Sequence, residues 1–392
     1  MSQTETGPAS GLTTETAAGR EGPAISVAEQ ARLGPMAGPR APLLSERADP
    51  TAPRRLLLDE LPWPTDWSLA FGQTRPLILE IGFGRGEMLF HLAETHPEHH
   101  VIGVEVSNQS LDKVERRLLR GENDRIRGVH CAAESALALL FTPASLDQVH
   151  VNYPDPWFKK RHHGRRVIQR DTVDWIANRL KPGGLLYLAT DIRDYADAAH
   201  EVLAATPALD NDLDAPWADT MPGRVVTKYE GLAREAGRPG HYFRYRRNDR
   251  PAPWAPASEE LALPHLVLHG SAAADLSAIR RSFEPFRYEH EQRHISALGA
   301  YNDDRCVLFD VFIQEPTISQ RLAIVLTQRD KDLTLGLAQM GLPRPTPGVH
   351  VAVARLCAWL TQAWPELEVD EARVAVERGT WAAVGGGRTD EA

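Results

Sequence analysis

The run Glu80-Ile81-Gly82-Phe83-Gly84-Arg85-Gly86 constrains this chain more than any other feature, because it follows an apolar stretch, Leu77 to Ile81, and leads into helical spacing. Glycine serves where backbone must turn tightly or approach a ligand with no Cβ in the way. A strand, a glycine turn, a helix beginning near Gly86 and a second strand from Val101 to Val106 make a β-α-β unit. The alternation continues with a helix around Asp112 to Leu119, a strand at Leu146 to Asn152, a helix at Asp171 to Leu180 and a strand at Leu185 to Thr190. Asp171 can cap its helix, Val173, Ile176 and Leu180 recur at helical spacing, and Lys181-Pro182-Gly183-Gly184 is expected to stop it. This pattern predicts an α/β fold built on a doubly wound parallel sheet.

With 392 residues the chain has room for two or three domains of about 150 residues each. Residues 1–54 are rich in Thr, Ala, Gly, Pro and Ser and poor in large apolar side chains, so a disordered tail is expected there. The first domain is expected over 55–250 and a linker over 251–264, marked by Pro251, Pro253, Pro256 and Pro264. Beyond it, strand-like runs at His265 to His269, Cys306 to Ile313 and Arg321 to Leu326 precede a helix whose Val349, Val353, Leu356 and Leu360 share one face. A smaller α+β domain over 265–380 and a flexible end over 381–392 complete the reading.

Composition excludes several classes. Cys131, Cys306 and Cys357 are far apart and odd in number, which offers neither a disulfide framework nor a CxxC zinc site. No apolar run approaches the roughly 18 residues of a bilayer span. Glu5, Glu15, Glu21 and Glu29 argue against an organellar transit peptide, so a cytoplasmic location is expected. With 44 Lys+Arg against 53 Asp+Glu the net charge is −9, and any nucleic-acid contact must come from a local patch.

The glycine run reads G-x-G-x-G, and Glu87 stands where the dinucleotide pattern G-x-G-x-x-G needs its last glycine. A pyrophosphate beside Glu80 and Glu87 would also meet like charge. S-adenosylmethionine, cationic at its sulfonium and ammonium and carrying a ribose, suits the site better. Glu105 closes the second strand, where a carboxylate can accept from ribose hydroxyls, and Glu80 can orient the ammonium or a water bound to it. A merely structural glycine turn is the alternative, and acids at two strand ends weigh against it.

The strand ending at Asn152 runs into Asn152-Tyr153-Pro154-Asp155-Pro156-Trp157-Phe158, at the carboxyl end of the sheet where open α/β folds bind ligands. Two prolines hold the Asp155 carboxylate in one place, and Trp157 offers a plate for a nucleobase. Lys159, Lys160, Arg161, Arg165 and Arg166 follow with no acid among them, beside the titratable His162 and His163. Such a cluster can neutralise phosphates, although a charge run is also what any solvated face looks like. A second basic stretch, His241 to Arg247, places Arg244 and Arg246 on one face if it is a strand; phosphate contact and a charged edge strand both remain open.

The run PDPW-x-KKRH-x-x-RR, preceded by EIGFG-x-G and followed by Thr190-Asp191 and Thr227-Lys228-Tyr229-Glu230, closely resembles the bacterial tRNA (guanine-N7)-methyltransferases over about residues 70–250. The resemblance implies a Rossmann-like class I methyltransferase sheet, S-adenosyl-L-methionine as cofactor and tRNA as partner, with methylation at N7 of guanosine 46 in the variable loop. It implies that Glu80, Gly82, Gly84 and Glu105 bind cofactor, and that Asp155 is the catalytic residue touching cofactor and base. Lys159, Asp191 and Thr227 through Glu230 would contact the substrate guanosine, and Lys160, Arg161, Arg165 and Arg166 are candidates for RNA contact. One departure stands out. The family often has an acid after the third strand for the adenine amino group, whereas Cys131-Ala132-Ala133-Glu134 places alanine there. Either Glu134 substitutes from one position beyond Ala133, or backbone groups suffice.

Guanine N7 carries a lone pair and no proton, so its attack on a sulfonium methyl needs positioning rather than a general base. Two other readings compete. His290-Glu291-Gln292-Arg293-His294 matches H-E-x-x-H, which on a helix would set two zinc ligands on one face, with Glu315 as a distant third; no metal is expected, since the neighbours are polar and the longer zinc motif is absent. A methyltransferase-like chain that only binds RNA is the other.

Overall fold

The computed structural model describes residues 54–376 except 256–260, 271–274, 291, 330, 339 and 341–342. Both expected tails, apart from Arg54, and the middle of the expected linker lie outside the described residues. The first sheet comprises β1 (Arg55–Leu57), β2 (Leu77–Ile81), β3 (His100–Glu105), β4 (Ile126–His130), β5 (Leu146–Asn152), β6 (Leu180–Thr190), β7 (Leu209–Asn211) and β8 (His241–Arg247). Their order across the sheet is β1-β4-β3-β2-β5-β6-β8-β7.

Helices α1 (Trp67–Phe71), α2 (Glu87–Thr95), α3 (Asn108–Leu119), α4 (Ala133–Leu139), α5 (Arg170–Arg179), α6 (Arg193–Ala204) and α7 (Lys228–Glu235) accompany these strands. Alternate strand residues face opposite layers. Ile78, Val101 and Ile126 join Met88, Leu111 and Val114 in one layer. Leu79, Ile102 and Val104 join Ala136, Val173 and Ile176 in the other. The doubly wound α/β reading therefore holds, with one correction. The sheet is mixed, because β8 runs antiparallel to both β6 and β7. His241 begins β8 opposite Thr190, at the carboxyl end of β6, so the whole connection 212–240 stays on the rim where ligands bind.

The second sheet is antiparallel throughout: β9 (His265–His269), β10 (Phe286–His290), β11 (Arg293–Asn302), β12 (Cys306–Gln314), β13 (Ser319–Arg329), β14 (Asp332–Leu337) and β15 (Glu368–Arg373), in the order β10-β11-β12-β13-β14-β9-β15. Val307, Phe309, Val311 and Ile313 alternate along β12 into a core shared with α8 (Leu276–Ser282) and with Val349, Val353, Leu356 and Leu360 of α9 (Pro347–Ala363). Here the helical reading of His290-Glu291-Gln292-Arg293-His294 is overturned. β10 ends at His290, β11 begins at Arg293, and Glu289 lies opposite His294, so the motif straddles a hairpin. Glu315 is engaged elsewhere, accepting from the Thr346 hydroxyl and from the Gly348 backbone N–H at 2.8 Å, where α9 begins.

Among the described residues no helix is long and apolar enough to cross a membrane.

Candidate functional site

The glycine loop is held from below and from the side. Gly82, Gly84 and Gly86 all adopt positive φ, which favours glycine. Phe83 turns down and is buried above Gly103 of β3, where a Cβ would come within 2.5 Å of its ring. Glu105, at the end of β3, accepts from the backbone N–H groups of Gly84, Val106 and Ser107, each at 2.9 Å. A carboxylate has about four acceptor positions, so one remains after these three. A Cβ at Gly82 would meet nothing within 4 Å, and at Gly84 only the Tyr229 ring at 3.8 Å. The backbone here is open to a ligand.

Under the loop lies Glu80, 1% exposed. Its Oε1 accepts from Asn152 Nδ2 at 3.1 Å, and its Oε2 is buried with no hydrogen-bond partner among the described residues. Burial pushes its carboxyl up to about 8, against the opposing pull of Asn152 and Arg224. Arg224 lies in no local motif. Its Nη2 donates to Asn152 Oδ1 at 2.7 Å, which fixes the amide so that its NH₂ faces Glu80, and its guanidinium lies 5.4 Å over the Tyr242 ring.

Tyr242 in turn donates to Glu230 Oε1 at 2.8 Å, as does Arg234 at 2.6 Å. Glu230 repeats the pattern of Glu80: 2% exposed, with Oε2 buried and unpartnered. Thr227 caps α7, accepting from the Glu230 N–H, while Lys228 and Tyr229 are exposed. The His91–Gly223 hydrogen bond of 2.8 Å and the Tyr229–Gly84 approach bring this segment over α2 and the glycine loop. Two buried carboxylates are therefore linked through Asn152, Arg224 and Tyr242, and Glu230 also pairs with Arg234.

The Pro-Asp-Pro segment leaves β5 under backbone strain. Tyr153 and Trp157, on either side of it, have φ of +49° and +45°, which side-chain-bearing residues rarely adopt. The Tyr153 hydroxyl meets that of Tyr242 at 3.3 Å, joining the strained loop to the Glu230 network. Burial raises the Tyr153 phenol above its ordinary value, so it stays protonated. Asp155 is exposed, and with Trp157, Phe158, Lys159 and His162 it lines a hollow of about 370 Å³. Phe158 is 73% exposed, an aromatic face left to solvent beside cations.

The matching family model is described as a putative methyltransferase and covers residues 74–242. A tRNA (guanine-N(7)-)-methyltransferase of Cupriavidus pinatubonensis is 40% identical over 189 residues, 48% of this chain and 73% of that one. Those of Cutibacterium acnes and Thiobacillus denitrificans are 42% and 41% identical, over 47% and 45% of this chain and 67% and 77% of theirs. The chain belongs to the tRNA (guanine-N(7)-)-methyltransferase family. The residues that the family model matches end before the second sheet begins at His265.

For this family the expected residues fall in several distinct settings. Glu80, Gly82, Gly84, Glu105 and Thr227 through Glu230 come together around the loop, and the unpartnered Glu80 oxygen suits the ammonium of S-adenosylmethionine. Lys159, Lys160, Arg161 and Arg165 are exposed, with Arg165 lying 5.1 Å over the Trp157 ring. Arg166 departs from its expected role of facing RNA. It is buried, donates to Pro156 O at 2.9 Å and lies over Tyr195, so it holds the Pro-Asp-Pro loop from inside.

Asp191 is also engaged, in an ion pair with Arg238. Arg244 and Arg246 share one face as expected, and both pair with Asp212. Ala133 is buried at the start of α4, and Glu134 is half-buried in its first turn.

Proposed function

We propose that this chain methylates N7 of guanosine 46 in the tRNA variable loop, working in the cytoplasm. The observation that supports this reading most is the approach of the Tyr229 ring to Gly84, where a Cβ would meet it at 3.8 Å. When bound, S-adenosyl-L-methionine supplies an electrophilic methyl group. Glu80 and the glycine-loop backbone bind its amino-acid end, and Glu105, already tied to the loop, offers its remaining acceptor to a ribose hydroxyl. Ala133 and Glu134 border the adenine side.

Glu230, buried and short of one partner, accepts from the donor edge of guanine, with Thr227, Lys228 and Tyr229 around it. Asp155 sits at the strained loop and stabilises the positive charge that the base acquires on methylation. Lys159, Lys160, Arg161 and Arg165 grip phosphates. Asp191 serves through its pair with Arg238, orienting that guanidinium toward the RNA. No proton need be removed from N7, so the protein contributes position and charge.

Tritium transfer from S-adenosylmethionine to bulk tRNA, followed by borohydride and aniline cleavage at the modified guanosine, tests the reading. Asp155→Ala is expected to retain binding of both substrates and to lose about 10²-fold or more in turnover. Unchanged turnover would remove Asp155 from the mechanism.

A further inference from the structure

Ala132 and Ala133, which follow β4, carry no side chain able to accept a hydrogen bond. The edge strand β1 supplies an acid from another direction. It runs parallel to β4, with Leu57 opposite His130, so the short turn Leu58–Glu60 emerges beside Cys131-Ala132-Ala133 at the carboxyl rim. Within that turn, the exposed Asp59 carboxylate takes part in no hydrogen bond with the described residues. Desolvation raises its pKa against the opposing charge of Arg344, and behind burial its charge helps to raise that of Cys131, ahead of Glu134.

The second sheet's half holds this turn in place. Arg344 donates from Nη1 to the carbonyls of Asp59 and Leu61, both at 2.7 Å, and lies 4.0 Å over the Trp63 ring. On the other side of the same rim position, the Ser135 hydroxyl of α4 donates to Thr317 O, and Ile318 joins the core of the first sheet. The β12–β13 hairpin and Arg344 thus bracket the end of β4.

We propose that Asp59 accepts the exocyclic amino group of the cofactor's adenine, with Arg344 as the positioning residue that holds it there. This rests on the reading of the rim as an S-adenosylmethionine site. Glu134 is the rival. It sits in the first turn of α4, whereas the Asp59 carboxylate has the Arg344 charge near it and no hydrogen-bond donor among the described residues. The proposal also gives the second half a role in cofactor selectivity.

Calorimetric binding of S-adenosylhomocysteine and of its 6-oxo counterpart, S-inosylhomocysteine, to the full chain tests this. The unaltered protein should prefer the amino form by about tenfold or more, one charge-assisted hydrogen bond. Asp59→Ala should bind the two alike. Asp59→Asn, whose amide can also donate to a 6-oxo group, should shrink or invert the preference. Arg344→Lys, which loses the two-carbonyl grip, should narrow it, and Glu134→Gln should keep it.

A preference intact in Asp59→Ala, or lost in Glu134→Gln alone, overturns the assignment, as does its absence from the unaltered protein. Methylation of tRNA is scored separately. Ligand discrimination without transfer would sink the proposed function and leave Asp59 in place, whereas transfer without discrimination would do the reverse.

Discussion

Both halves of the molecule bury glutamates, and they treat them differently. In the second half Glu315 is satisfied on both oxygens, by Thr346 and Gly348 with Arg293 at 3.5 Å, and so caps α9. In the first half Glu80 and Glu230 are buried more deeply, yet each keeps one oxygen without a partner. An unpaired buried acceptor costs about 1–3 kcal/mol. A fold that tolerates two of them on one hydrogen-bond network is organised for a ligand's donors, whereas the satisfied glutamate serves the fold alone.

Four substitutions or titrations break or sharpen that contrast. Glu80→Gln keeps the shape and removes the charge, so S-adenosylhomocysteine affinity should fall by about 10²-fold with no loss of melting temperature in the ligand-free protein, as read by calorimetry and thermal unfolding. Glu315→Ala should do the opposite. It leaves the Thr346 hydroxyl and the Gly348 N–H without their acceptor and should cost about 2–3 kcal/mol in denaturant unfolding, with a change in ligand affinity an order of magnitude smaller than for Glu80→Gln.

Arg224→Ala frees the Asn152 amide and should weaken ligand binding about tenfold; unchanged affinity would mean that Glu80 needs no orientation from that side. The smallest effect is on pH. With its carboxyl pushed up to about 8, Glu80 is mostly protonated at neutral pH, while an ammonium ligand favours the carboxylate. Binding therefore takes up no proton but releases one, and affinity should rise roughly fivefold between about pH 7 and about pH 8. Glu80→Gln should be flat across that interval, and an equal slope in the variant would assign the titration to another group.

Local pattern made much of this legible. Strands Leu77–Ile81 and Leu146–Asn152 begin and end where their apolar periodicity and flanking turns place them. The Gly-rich loop is likewise marked by its own residues. His290 through His294 was harder, because a five-residue match to H-E-x-x-H says nothing about the strand that Arg293 begins, and pairing with β12 rather than local spacing decides it. Arg166 and Arg165 are neighbours of the same type, yet one supports the loop from inside and the other faces outward. No composition argument separates them.

By itself, the order of residues determined the strand–glycine–helix beginning, the proline-locked acid at the end of β5 and the basic run that follows, since each depends on contacts within a few positions. Only the tertiary structure decided which carboxylates keep a free oxygen, that Arg224 and Tyr242 link them, and that β1 brings Asp59 near Cys131 from more than seventy residues away. Burial and partnership are properties of packing between distant segments. A side chain's chemistry is written in its identity, but its pKa and its unmet hydrogen bonds are set by what the rest of the chain places around it.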